Sequence, residues 1–189
     1  MTGASSSIVL LACIASLTSL ACKGAAPSAQ QAPAPPAAPA TPEAPAPPAA
    51  NLPKHPVLDA YEQVRAALAR DAIAEAIAAG KAIATAASEM QASASDALKP
   101  KLDAVGKAAT AFAAASASDA DATRKAFGEV SRAVVALVDA EPTLKQGRHV
   151  FECPMAQGYE KWVQVSDKIN NPYMGSSMLT CGAQSTWGP

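Results

Sequence analysis

The chain has 189 residues, of which 50% are hydrophobic but only 4% aromatic, and carries a formal net charge of -1 at pH 7. Much of the apolar fraction is Ala, so a core built from it is thin. The near-neutral balance offers no basic field for phosphate backbones, which argues against nucleic acid as a partner. Length permits one or two domains, and after a Pro-rich first third about 130 residues remain, the size of a single folded unit.

The apolar run from Ile8 to Ala21 is shorter than the roughly 20 residues a membrane span needs and fits the apolar region of an export signal. It ends in Leu20-Ala21-Cys22, similar to a bacterial lipobox, in which the Cys is acylated and becomes the mature N-terminus. Ser19 stands where such boxes usually carry Leu, and Cys13, preceded by Leu10-Leu11-Ala12, is an alternative acceptor. Residues 1–21 are thus expected to be a lipoprotein-type signal peptide, with lipidation at Cys22. The anchor would tie the chain to a membrane of the bacterial envelope. By analogy with lipoprotein sorting, Lys23 in place of Asp favours the outer membrane, facing the periplasm.

Residues 22–53 are mostly Ala and Pro. Pro removes backbone donors, so this stretch reads as an extended, semi-rigid tether. At about 3.1 Å per residue, roughly 30 residues reach about 90 Å. The folded domain is expected over residues 54–189.

Helical periodicity begins after His55. Val57, Tyr61, Val64 and Leu68 share one face of a first helix, and Ile73, Ile77, Ala84 and Ala87 line a second that ends near Met90. Pro100 sits where a helix start tolerates its missing N–H, and Leu98, Leu102, Val105, Ala109 and Phe112 form the third face. Ser118 with Asp121 reads as a capping pair for a fourth helix carrying Phe127, Val130, Val134, Leu137 and Val138, stopped at Glu141-Pro142. The fold class expected is mainly α, an up-and-down four-helix bundle with a small C-terminal segment of short strands and turns packed on it. An Ala-rich bundle buries little area, so that segment would supply the missing apolar surface.

From Phe151 to Cys181 the composition changes. Trp162, two of the three Tyr, three of the five Met and the last two Cys gather there. Alternation over His149–Cys153 predicts a strand, with Trp162-Val163-Gln164-Val165 as its partner. Asn170-Asn171-Pro172 marks a turn, and Gly175-Ser176-Ser177 opens a helical turn carrying Met178 and Cys181.

Soft sulfur donors select soft cations. Cys153 and Met155 share a face if the strand stays extended, and Met174, Met178 and Cys181 share one at helical spacing. Cys153, Met155, Met178 and Cys181 are therefore candidate ligands for Cu(I) or Ag(I), with Met174 and His149 as further candidates. His149 reaches the same ion only if the chain bends. Alternatively, two Cys in an exported domain form a disulfide. A Cys153–Cys181 bridge would contribute roughly 3 to 4 kcal/mol in the chain-entropy account. No nucleophile elbow, phosphate loop or zinc-type spacing is present in the sequence, so no catalytic residue is assigned and an enzyme is not expected.

Cys153-Pro154-Met155-Ala156, Trp162, Ile169-Asn170-Asn171-Pro172-Tyr173 with Gly175, and Met178-Leu179-Thr180-Cys181-Gly182 together resemble a signature of the bacterial domain of unknown function 3347 family. The resemblance extends to Tyr61, Ala67-Leu68 and Asp71, and to Arg124-Lys125-Ala126-Phe127 with Ser131, and so covers about residues 55 to 184. That family occurs as the C-terminal part of periplasmic adaptors of copper and silver efflux systems and alone in exported lipoproteins. The resemblance implies a heavy-metal efflux component as partner. Met174 departs from the family, which usually has an aromatic residue there, and Val163-Gln164-Val165 follow Trp162 where Leu-Ser is commoner. The Cys-Pro-Met triplet also occurs in small heavy-metal-binding domains, with His following where this chain has Ala156.

Two function classes follow. The first is a lipid-anchored periplasmic domain that binds Cu(I) or Ag(I) for transfer or sensing. The second is a non-catalytic envelope interaction module closed by a Cys153–Cys181 disulfide.

Overall fold

A computed structural model describes residues 52–188. The expected signal peptide, the candidate acceptors Cys13 and Cys22, and most of the expected tether lie outside these residues. At the start of the described residues, Arg148 Nη2 donates to the Pro53 carbonyl at 3.0 Å.

Helix α1 spans Pro56–Ala69, with Pro56 in its first turn, where a missing N–H is harmless. Its expected face is fully buried, Val57, Tyr61, Val64 and Leu68 each being 0 to 1% exposed. Helix α2, Ile73–Met90, buries Ala76, Gly80, Ile83, Ala86 and Ala87. The face centred on Ile73, Ile77 and Ala84 is therefore corrected: these three lie on its half-buried flank. A Cβ on Gly80 would come within 2.6 Å of the Phe112 ring, and this close approach sets how α2 meets helix α3, Lys99–Ala113. Leu102, Val105, Ala109 and Phe112 are the buried positions of α3, while Leu98 is half-buried.

Helix α4, Ala120–Ala140, is capped by Asp119, whose carboxylate accepts from the Ala122 N–H at 2.9 Å. The cap is thus Asp119 rather than the expected pair Ser118 and Asp121, since the Ser118 hydroxyl pairs with Ser116 instead. Beyond Glu141 a 3-10 turn, Pro142–Lys145, leads out of the bundle.

Strand β1, His149–Glu152, pairs antiparallel with β2, Lys161–Gln164, placing Phe151 opposite Trp162 and Val150 opposite Val163. A two-residue strand β3, Ala183–Gln184, adds to the other side of β1, giving the order β2-β1-β3. The helices pack in sequence order, and β2 lies against α4 and α1. There the Tyr61 hydroxyl bonds Ser131 and accepts the Val163 N–H at 3.3 Å.

The sheet supplies the apolar mass that the bundle lacks. Phe112, Phe127, Tyr173, Trp162 and Phe151 form one chain of rings with successive centroids 5.7 to 6.2 Å apart, and Tyr61 stacks on Phe127 at 5.3 Å. Trp162, between Tyr173 and Phe151 in that chain, is 0% exposed. Such ring pairs add roughly 0.5 to 1.5 kcal/mol each beyond the area they bury. Among the described residues no helix is long and apolar enough to cross a membrane.

Candidate functional site

Cys153 follows β1 directly. Its N–H donates to the Glu160 carbonyl at 3.0 Å, and its own carbonyl accepts from Ala156 at 3.0 Å. The chain therefore turns at Cys153. The extended geometry expected to set Cys153 and Met155 on one strand face does not hold, because β1 stops at Glu152. Pro154, which cannot donate to a ladder, accounts for the stop.

Cys181 is delivered by the second half of the segment. A 3-10 turn, Gly175–Met178, is followed by a further turn in which the Cys181 N–H donates to the Met178 carbonyl at 3.0 Å. Asn171 Nδ2 donates to the Cys181 carbonyl at 2.7 Å. Gly182 then passes β1 so closely, at φ +137, that a Cβ there would stand 2.7 Å from the Glu152 carbonyl oxygen and 3.0 Å from the Trp162 ring. Without a side chain at 182 the strand β3 can pair with β1, and this carries Cys181 to Cys153.

The two Sγ atoms are 3.8 Å apart, and both cysteines are free. Cys153 is completely buried and Cys181 is partly exposed. Contact with Cys153, and secondly burial, raises the Cys181 thiol above the ordinary thiol value.

The remaining candidate ligands divide into three. Met155 and Met178 are the large hydrophobic side chains left exposed among the described residues, at 56% and 38%, and each lies within three residues of a candidate cysteine. Gap-filling methionines are buried, so packing does not account for these two. Met174 is different, being half-buried against the core. His149 stands at the opposite end of β1 from Cys153, paired with Gln164, and its ring lies 6.2 Å from Phe151. The four-residue strand keeps it about 13 Å along the backbone from Cys153.

The 3.8 Å separation is that of two thiols in hydrogen-bond contact, and two sulfurs about 2.3 Å from one tetrahedral ion stand about equally far apart. A disulfide of about 2.05 Å would need each sulfur to move by about 0.9 Å from the present separation. Among the described residues no three His, Cys, Asp or Glu side chains gather into a group that could hold a metal ion.

Sequence reasoning missed two positioning elements. Asn171 was legible as a turn former and as part of the resembled signature, with no positioning role, whereas it is fully buried and bonded through both amide atoms. The other is a polar joint between bundle and segment. Arg124 Nη1 donates to the Leu68 carbonyl at 3.0 Å and to the Pro172 carbonyl at 2.7 Å, and its Nη2 pairs with Asp71. Asp71 in turn accepts from the hydroxyl of Ser176 and, at 3.0 Å, from its N–H. These bonds hold the Asp71 carboxyl down at about 2, Ser176 contributing first and Arg124 next. Comparison with protein families, with curated proteins and with solved structures gave no match, and the family resemblance rests on the residues that carry it.

Proposed function

We propose that the chain is a lipid-anchored periplasmic domain, resembling efflux-associated modules, that binds Cu(I) or Ag(I) through Cys153 and Cys181 with Met155 and Met178. The reading has the ion handed to, or sensed for, a heavy-metal efflux component. The observation that supports it is the thiol pair, 3.8 Å apart, flanked in the chain by two exposed methionines. Thiolates and thioethers together suit soft cations, and a partly exposed Cys181 suits ligand exchange with a donor or acceptor. The anchor at Cys22 and the outer-membrane location rest on the sequence reading alone. No catalytic role is proposed.

A second reading is supported by the burial of Cys153 beside the ring chain: an envelope interaction module whose segment is stapled by a Cys153–Cys181 disulfide. Competition for Cu(I) separates the two. The full chain carrying Cys13→Ser and Cys22→Ser, reduced and free of oxygen, should keep one Cu(I) against a chromogenic chelator. Cys181→Ser should abolish retention, and Met178→Leu should weaken it by roughly tenfold, about 1.4 kcal/mol. If the reduced protein yields all copper to the chelator, the metal reading is lost and the staple remains.

A further inference from the structure

We propose that Cys153 and Cys181 form a thiol–disulfide exchange centre, in which Cys181 takes an external disulfide and Cys153 resolves it. This rests on the reading of the two cysteines as reduced thiols and deepens it; it needs no bound metal.

Three observations carry it. The sulfurs lie 3.8 Å apart, close enough for one to attack the other after a small movement. They differ in access: Cys153 is fully buried and Cys181 partly exposed, so an incoming disulfide meets Cys181 first. Both are pinned through their backbones, Cys153 to Glu160 and Ala156, Cys181 to Met178 and Asn171, which keeps the second thiol in place while the first reacts.

The chemistry balances with a small organic disulfide as oxidant. The Cys181 thiolate attacks one sulfur of that disulfide, forming a mixed disulfide and releasing one small thiolate. The Cys153 thiolate then attacks the Cys181 sulfur, closing the Cys153–Cys181 bond and expelling the second small thiolate. The protein gives up two electrons, the external disulfide gains them, and the two thiol protons end on the released thiolates or in water.

The consequence for the proposed metal site is exclusion. Bridging removes both thiolates that a soft cation would use, so the metal-binding and stapled readings become two states of one site, selected by the disulfide poise around it.

The test uses the reduced, folded full chain with Cys13→Ser and Cys22→Ser. With iodoacetamide in deficit, peptide mapping should find Cys181 alkylated at least roughly tenfold more than Cys153, the ratio falling to about one in denaturant. A chromogenic aromatic disulfide should then release two coloured thiolates per chain and leave no adduct mass. In Cys153→Ala it should release one and leave an adduct on Cys181. Equal labelling of the two cysteines in the folded chain, or stable adducts on both, overturns the proposal. The labelling ratio uses the intact pair, so the test survives if Cys153→Ala does not fold. Failed exchange with Cu(I) retention intact sinks this inference alone, and the reverse sinks the metal reading alone.

Discussion

Asn171 commits both polar atoms of its side chain to the segment that carries Cys181. Its Oδ1 accepts from the Tyr173 N–H at 2.7 Å and the Met174 N–H at 3.1 Å, and its Nδ2 donates to the Cys181 carbonyl at 2.7 Å. Its own N–H reaches the Leu179 carbonyl at 2.7 Å. A buried amide bonded this fully fixes geometry, because leaving any partner unpaired costs about 1 to 3 kcal/mol. Asn171→Ala is accordingly expected to lower stability by about 1 to 3 kcal/mol in urea unfolding. Asn171→Asp is more discriminating. The carboxylate keeps the acceptor for Tyr173 and Met174 but loses the donor to Cys181, so the thiol should alkylate faster than in the parent even where the fold survives. An unchanged labelling rate in Asn171→Asp would mean that this bond does not position Cys181.

At the scale of elements, the α2–α3 contact shows where a sequence is readable and where it is not. The faces of α1, α3 and α4 were legible because bulky residues such as Tyr61, Leu102, Phe112, Phe127 and Val134 recur at helical spacing, and each is buried. Helix α2 was not, because its inner seam is made of Ala76, Gly80 and Ala87, residues whose hydropathy says little about direction. The bulky Ile73 and Ile77 drew the expected face toward the flank. Strand β3 left no periodic signal in two residues, and the role of Gly182 depends on a neighbour 30 positions earlier, Glu152. That Cys153 and Cys181 come together was legible in the sequence, as joint ligands of one ion or as a disulfide; their unequal burial required the fold. Gly80 gives the element-scale test. In Gly80→Ala the new methyl meets the Phe112 ring, and overpacking of this kind costs about 1 to 3 kcal/mol. Phe112→Leu in the same chain should restore part of the loss, since the clash is with the ring. A double-mutant cycle in urea showing strict additivity would place the cost elsewhere.

Across the whole molecule, the C-terminal segment is held to the bundle by apolar rings at its centre and by polar joints at its rim, and the rim makes the attachment depend on pH. Arg65 Nη1 donates to the Asn170 carbonyl at 2.8 Å, and Asp71 joins Arg124 and Ser176. Asp71 titrates at about 2 in the folded chain against an ordinary 3.8. A depressed carboxyl stabilises the fold above its unfolded value, and that contribution is lost as pH falls from about 3.8 toward about 2. His55 acts in a separate window. Burial, and then Arg148, lower it below 6.5, and its Nδ1 is buried without a hydrogen-bond partner. The unfolded chain therefore takes up a proton that the folded chain resists, and stability should decline as pH drops below 6.5. Trp162, fully buried among the rings, reports detachment of the segment by fluorescence. In urea titrations from pH 8 to pH 2, His55→Asn should remove the decline that begins near 6.5. Asp71→Asn should be less stable than the parent by a constant amount above pH 4, with the gap closing toward pH 2. A gap that persists undiminished at pH 2 would show that the joint depends on the shape of Asp71 and not on its charge, and the acid limb would then have to arise elsewhere in the fold.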